Sequence, residues 1–279
     1  MADRPGGPPV NADPRFSLNQ WTTRHWPMPD LLSGCAAKGV RGVGLWREPV
    51  AEYGLARTAK LVGDNGLTVT SLCRGGFFQQ PDAIADNKRA IEEAAALGAP
   101  VLVLVSGGLP DGSRDIDGAR TRVADALAEL APFAGQHNVQ LAIEPLHPMY
   151  CSDRCVVSTL AQALDLASPH SPDEVGVVID TYHLWWDPTA YDGIARAGRE
   201  DRIAAFQVAD WTTPLPEGVL TGRGMLGDGC VELRRFRQAV EATGYTGPIE
   251  VEIFNEELWA MPGADALSLT LSRFAEHVV

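Results

Sequence analysis

The sequence predicts one α/β domain folded as a closed (β/α)8 barrel, and three observations carry that expectation. Short β-rich runs recur at intervals of roughly 25 to 45 residues, each followed by an Ala/Leu-rich amphipathic stretch. Runs such as VLVLV are apolar on both faces, as the strands of an all-parallel sheet must be when helices cover both sides. Eight such runs fit within 279 residues, which favours closure into a barrel over an open doubly wound sheet.

In chain order the expected strands are FSLNQW (16–21), GVGLWRE (42–48), TVTSLCR (68–74), VLVLVSGG (101–108), QLAIEPLHP (140–148), GVVIDTYH (176–183), IAAFQVADW (203–211) and IEVEIFNE (249–256). Helical patterns lie between them, among them NKRAIEEAAALG (87–98), RTRVADALAELAPFAGQHN (120–138), TLAQALDLA (159–167) and LRRFRQAVEATG (233–244). Several of these close on Gly or Asn, the residues that most easily take the left-handed conformation at a helix C-terminus. The proline-rich, partly acidic stretch 1–14 lacks the apolar run of a signal peptide and reads as a flexible leader, leaving 15–279 as the barrel.

Composition excludes several function classes. Hydrophobic residues make up 45% and charged residues 21%, enough for a large core without a second domain. Net charge is −13, so a nucleic-acid partner would meet repulsion where binding needs a basic stripe. No stretch approaches the ~20 apolar residues of a membrane span, and a soluble protein is expected. The five cysteines are scattered and odd in number, which suits reduced thiols in a cytoplasm. Cys151 and Cys155 have no second Cys/His pair nearby and read as ordinary loop or helix residues rather than a zinc half-site. No Gly-x-Gly-x-x-Gly follows the first strand and no Gly-x-x-x-x-Gly-Lys occurs, so no nucleotide cofactor is expected.

Active sites of such barrels form at the C-terminal ends of the strands. There, Glu144 closes the fifth strand, Asp180 the sixth, Gln207 lies in the seventh and Glu252 in the eighth. Each sits among residues that prefer burial, and a buried carboxylate is costly unless it is paired, protonated or bound to a cation. No Lys or Arg lies beside them in these strands. A divalent metal is therefore the expected counter-charge, and all-oxygen ligands point to a hard ion, Mn²⁺ first, then Mg²⁺ or Co²⁺. The alternative for any one of the four is that it bonds backbone groups or points outward between helices; all four doing so is the weaker reading. Glu250 and Glu252 share a face by strand alternation, and Glu252 is nearer the rim.

The motifs AIEPLHP (142–148), VVIDTYHLWWD (177–187), FQVADW (206–211), GRGMLGDG (222–229) and IEVEIFNE (249–256) resemble the sugar phosphate isomerase/epimerase superfamily of xylose isomerase-like TIM barrels, over nearly the whole chain. The resemblance implies that Glu144 and Glu252 both hold the metal and move protons as the catalytic pair, and that Asp180 is a ligand. At the position of Gln207, ketose epimerases often carry His, whereas hydroxypyruvate-isomerase-like members carry Gln. His183 and Arg223 resemble family residues that hydrogen-bond substrate, although a His at a strand end can equally be structural. His147 either reaches the pocket or locks the loop between its prolines.

All seven tryptophans (Trp21, Trp26, Trp46, Trp185, Trp186, Trp211, Trp259) are expected at strand C-terminal ends and none in the helical shell. Trp46, Trp186 and Trp211 are the expected substrate contacts. Their faces suit sugar C–H surfaces or an aglycone, which favours a hexose-sized or glycosylated substrate; a plug for the barrel mouth is the alternative. The expected activity is a metal-dependent isomerase or epimerase acting on a ketose or keto-sugar through an enediolate. A lyase releasing an aglycone from a 3-keto-glycoside is the second reading, and a non-catalytic sugar-binding protein the third. A homo-oligomer is compatible with all three. The glycine loops CRGGFF (73–78) and GGLPDGSRD (107–115) give only a weak signal for phosphate, since turn geometry explains them equally well.

Overall fold

The computed structural model describes residues 12–279; the expected leader, 1–14, lies almost wholly outside the described residues. Seven parallel strands come first: β1 (Phe16–Asn19), β2 (Gly42–Trp46), β3 (Thr68–Gly76), β4 (Val101–Val105), β5 (Gln140–Ile143), β6 (Val175–Asp180) and β7 (Ile203–Val208). A small antiparallel pair follows, β8 (Asp210–Trp211) with β9 (Arg223–Gly224), and β10 (Ile249–Val251) supplies the eighth stave. The staves close in the order β1-β10-β7-β6-β5-β4-β3-β2, which is the expected (β/α)8 barrel.

Around it lie α1 (Met28–Ala37), α2 (Arg47–Tyr53), α3 (Leu55–Asp64), α4 (Ala83–Leu97), α5 (Ile116–Gln136), α6 (Leu160–Ala167), α7 (Thr181–Leu184), α8 (Ala190–Arg199), α9 (Leu233–Glu241), α10 (Glu256–Trp259) and α11 (Gly263–His277). No helix among the described residues is long and apolar enough to cross a membrane.

The strands are shorter than the β-rich runs because polar residues at their ends turn the chain. Asp180 accepts a hydrogen bond from the Tyr182 N–H at 2.8 Å, so the run GVVIDTYH leaves the sheet and starts α7. Asn19 does the same for a 3-10 turn at Gln20–Thr23. At the other helix ends the expected stops hold: Gly98 closes α4 in the left-handed region at φ 69°.

Strand alternation divides the core in two. Leu102, Leu104, Leu141, Ile143, Val177 and Ile179 face outward into the layer shared with the helices. Val101, Val103, Ala142, Val178 and Ala205 face the barrel interior with Trp46, Cys73 and Phe254. The same period of two carries the inward direction from Ala142 to Glu144, from Val178 to Asp180 and from Ala205 to Gln207. Small interior residues below thus leave room for large polar ones above.

The tryptophans depart from expectation at one position. Trp26 packs in the helical shell between α1 and α11, where a Cβ on Gly34 or on Gly263 would lie 2.2 Å from its ring. The turn after β1 carries it past the rim, which the spacing of the run did not reveal.

Candidate active site

The inward carboxylates meet at the C-terminal mouth of the barrel. Asp180 is fully buried, and Glu144, Glu250 and Glu252 are 5%, 3% and 3% exposed, so four carboxylates share one interior. They occupy two levels.

The lower level belongs to Glu250. Its Oε1 accepts from Asn19 Nδ2 at 2.8 Å and Gln207 Nε2 at 3.0 Å, and its Oε2 accepts from Ser71 Oγ at 2.8 Å and Thr70 Oγ1 at 2.9 Å. Gly44 is required beside it, because a Cβ there would lie 2.6 Å from the carboxyl atoms. The neighbouring strands supply this cradle in register: Ser17 and Gln207 both pair with Glu250, and Gly44 pairs with Ser71.

The upper level is charged. Arg223 Nη1 lies 3.0 Å from both Asp180 Oδ2 and Glu252 Oε2 and also donates to the Glu252 carbonyl at 3.0 Å. Its guanidinium carbon sits 4.8 Å from the Tyr182 ring and 4.6 Å from the Phe254 ring. The expectation that no basic residue accompanies the carboxylates is thus corrected: the strands carry none, but β9, reached by a long connection from β8, returns Arg223 into their midst. Burial opposes its charge, yet Asp180, Glu252 and Glu144 more than compensate and raise its pKa.

One guanidinium does not balance three carboxylates. Burial pushes the Glu144 carboxyl well above the usual carboxylate range, with Glu252 and Asp180 adding to it. Burial also raises Glu252, to about 8, against the opposing pull of Arg223. Asp180 is raised by burial too, with Arg223 again opposing. Glu144 Oε1 and Gln207 Oε1 are buried with no hydrogen-bond partner among the described residues. Two orphaned oxygens beside surplus negative charge fit the coordination of a hard cation. Ligand atoms of Glu144, Asp180 and His183 all lie within 4.8 Å of one another, so this buried group could hold a metal ion.

His183 Nδ1 accepts from the His147 backbone N–H at 3.2 Å. Nε2 faces Asp180 Oδ2 at 3.7 Å, Glu144 Oε1 at 3.9 Å and Arg223 Nη2 at 3.2 Å. Burial, followed by the nearby Arg223, holds its pKa well below the ordinary 6.5, so the ring stays neutral.

A cavity of about 40 Å³ for water-sized occupants opens above this group, and Trp46, Tyr150, Leu220 and Phe254 are among its walls. Of the expected residues it brings together Glu144, Glu252, His183, Arg223 and Trp46. Gln207, His147, Trp186 and Trp211 do not line it. Gln207 lies one level down on Glu250. His147 stacks on Trp211 at 4.8 Å and against Trp186 at 5.5 Å, and Trp186 Nε1 donates to the His183 carbonyl at 2.7 Å. These three rings brace the loop that presents His183, a geometry closer to the loop-locking and plugging alternatives. Cys151 and Cys155 bond to Ser158 and Ser106 respectively and share no metal-like cluster.

Arg74, Arg154, Tyr150 and Phe254 also line the cavity and were not singled out from sequence. Arg74 ends the run TVTSLCR, so the rule that strand ends carry the site already pointed to it. Arg154 lies in a loop and left no such signal.

The xylose isomerase-like TIM barrel family matches residues 32–273. The chain belongs to that family. Among relatives, the inosose isomerase of Bacillus subtilis (strain 168) is 27% identical over 146 residues, covering 51% of this chain and 50% of its own length. The 3-dehydroshikimate dehydratase of Pseudomonas putida is 27% identical over 256 residues, covering 84% of this chain and 37% of its own. The chain thus spans half or less of the length of these two relatives.

Among solved structures, a protein of Sinorhizobium meliloti 1021 superposes with a TM-score of 0.91 at 44% identity, covering 94% of this chain and 98% of that one. The zinc-bound IOLI protein superposes with a TM-score of 0.81 at 21% identity, covering 95% and 98%. This xylose isomerase-like barrel therefore shares its architecture with a protein that carries a metal.

Proposed function

We propose that this xylose isomerase-like barrel is a divalent-metal-dependent sugar isomerase or epimerase that moves a proton at a carbon next to a carbonyl of a ketose or keto-sugar. One observation carries the reading: Glu144 and Glu252, on staves separated by β6 and β7, face one cavity as buried carboxyls. Carboxyls on two sides of one cavity are placed to take a proton from a bound substrate and to return one.

Glu144, Asp180 and Glu252 would hold the ion, with Gln207 as the fourth ligand. Glu250 engages the amide nitrogen of Gln207 and leaves its oxygen free, the orientation a ligand requires. Mn²⁺ suits this oxygen-rich set, and Mg²⁺ or Co²⁺ are the alternatives. When bound, such an ion supplies Lewis acidity that lowers the barrier to removing a carbon-bound proton beside a carbonyl. His183 lines the cavity and hydrogen-bonds a substrate oxygen. Arg223 holds Asp180 and Glu252 in place and presents Nη2 to the cavity floor. Glu144 and Glu252 take a proton from one face of the substrate and return one on the other for epimerisation, or one of them acts twice for isomerisation. The apolar wall of Trp46 and Phe254 covers the C–H face of a sugar.

The relatives support proton chemistry of this kind: one is an inosose isomerase and another a dehydratase of 3-dehydroshikimate. The dehydratase favours a second reading, elimination of a β-substituent, including an aglycone from a 3-keto-glycoside, by the same carboxyls. Five free cysteines, three of them buried, agree with a reducing cytoplasm.

The test is solvent deuterium entering substrate carbon in the Mn²⁺-loaded protein. Glu144→Gln and Glu252→Gln are each expected to lower exchange about 10²- to 10⁴-fold. Full exchange in both variants removes them as the acid/base pair, and failure to retain any metal on dialysis removes the metal.

A further inference from the structure

The floor of the cavity is acidic, but its mouth is not. Arg74 and Arg154 both line the same cavity as Glu144, His183, Arg223 and Glu252. In a chain of net charge −13, two cations converge on one opening.

Neither is committed to a strong partner. Arg74 approaches a carboxylate only at Glu48, at 4.0 Å, and that side chain is 62% exposed, so water screens the pair. Its guanidinium carbon lies instead over aromatic rings, 4.3 Å from the Phe77 ring centroid and 5.9 Å from that of Trp46. Arg154 makes no side-chain hydrogen bond or ion pair among the described residues, and it is fixed through its backbone N–H to the Tyr150 carbonyl at 3.0 Å. Burial lowers the pKa of Arg74, and Arg154 is near enough to lower it further, although Glu48 opposes both. Two like charges facing one opening repel each other unless an anion lies between them.

We infer that Arg74 and Arg154 form an anion subsite at the mouth of the cavity, so that the substrate carries a carboxylate or phosphate at the end remote from its reacting carbonyl. Planar guanidinium forks match both groups through paired N–H donors. The inference deepens the proton-transfer reading of the same site and rests on it for the position of the carbonyl. Binding energy from the anionic end would fix the carbonyl end over Glu144 and Glu252. It also gives the acidic protein a local means of drawing in a ligand that its overall charge repels.

Three polyhydroxy-ketones differing at the far end serve as probes of the Mn²⁺-loaded protein: 5-keto-D-gluconate with a carboxylate, D-fructose 6-phosphate with a phosphate, and neutral D-fructose. Calorimetric binding is expected to be at least about tenfold tighter for one of the anionic probes than for D-fructose. Which of the two gains tells carboxylate from phosphate. Arg154→Gln and Arg74→Gln should each weaken the favoured anionic probe about tenfold more than they weaken D-fructose. Arg235→Gln, which removes the same charge from the exposed outer face of α9, should change nothing.

Anionic probes that bind no better than D-fructose, that show no saturation below about 10 mM, or that bind undiminished in both cavity variants overturn the subsite. Arginine-dependent binding with no deuterium exchange on any probe upholds the subsite and sinks the proton-transfer reading instead.

Discussion

Glu250, inside β10, and Glu252, one residue past its end, are both buried, yet they live in opposite environments. Glu250 receives four hydrogen bonds from neutral donors, so its negative charge is dispersed and fixed. Glu252 shares one guanidinium with Asp180 and looks across the cavity at Glu144, so its charge is contested. A carboxylate whose lone pairs are all engaged has little left to offer a substrate; one that is short of donors and crowded by like charge will take up a proton or a cation. Burial alone does not separate the two. The count of donors does.

That contrast can be broken by substitution. The largest effect is expected at the upper level: Glu252→Gln should cost about 10²- to 10⁴-fold in deuterium exchange while leaving the metal-free protein at least as resistant to urea, because an amide keeps the Arg223 contact and removes a like charge. A drop in both activity and stability would make Glu252 structural. At the lower level the signs reverse. Glu250→Gln should lower unfolding free energy by about 2 kcal/mol, since the neutral side chain loses the charge that strengthens four accepted hydrogen bonds. Unchanged urea midpoints would show that the cradle is slack.

A comparable effect is expected at Gly44→Ala, where a Cβ 2.6 Å from the Glu250 carboxyl must displace it, for about 1 to 3 kcal/mol seen as a lower Tm. The smallest concerns an ordinary surface carboxylate. Asp86 is held below its usual 3.8, chiefly by its hydrogen bond to Arg47. Its stabilisation is therefore present above pH 3.8 and lost as pH falls through the lowered value. With 39% of the Asp86 side chain exposed, water screening should hold the difference between wild type and Asp86→Asn below about 1 kcal/mol in acid unfolding. Exposed and buried carboxylates would then form one graded series.

The barrel was legible because its signals are local and repeated: VLVLV shows a strand covered on both faces, and Gly98 marks a helix end within a few residues of its cause. Glu144, Asp180, Gln207 and Glu252 were legible as inward, strand-end residues for the same reason. Arg223 among the carboxylates was not, because 43 residues of sequence separate it from Asp180 and the β8–β9 pairing sets its place. Trp186, Trp211 and His147 share the motifs of the rim, but which rings face the cavity and which brace a loop depends on how connections from different staves pack together.

The sequence by itself determined the alternation, the number of staves and the end of the barrel at which polar residues gather, since each follows from the period of a strand and the chemistry of its neighbours. Tertiary structure decided which carboxylate is satisfied and which is short of donors, and where the cations stand. Those are properties of distances between side chains far apart in the chain: Asn19, Thr70, Ser71 and Gln207 reach Glu250 only when the sheet closes, and Arg74 and Arg154 meet only at the mouth that closure creates.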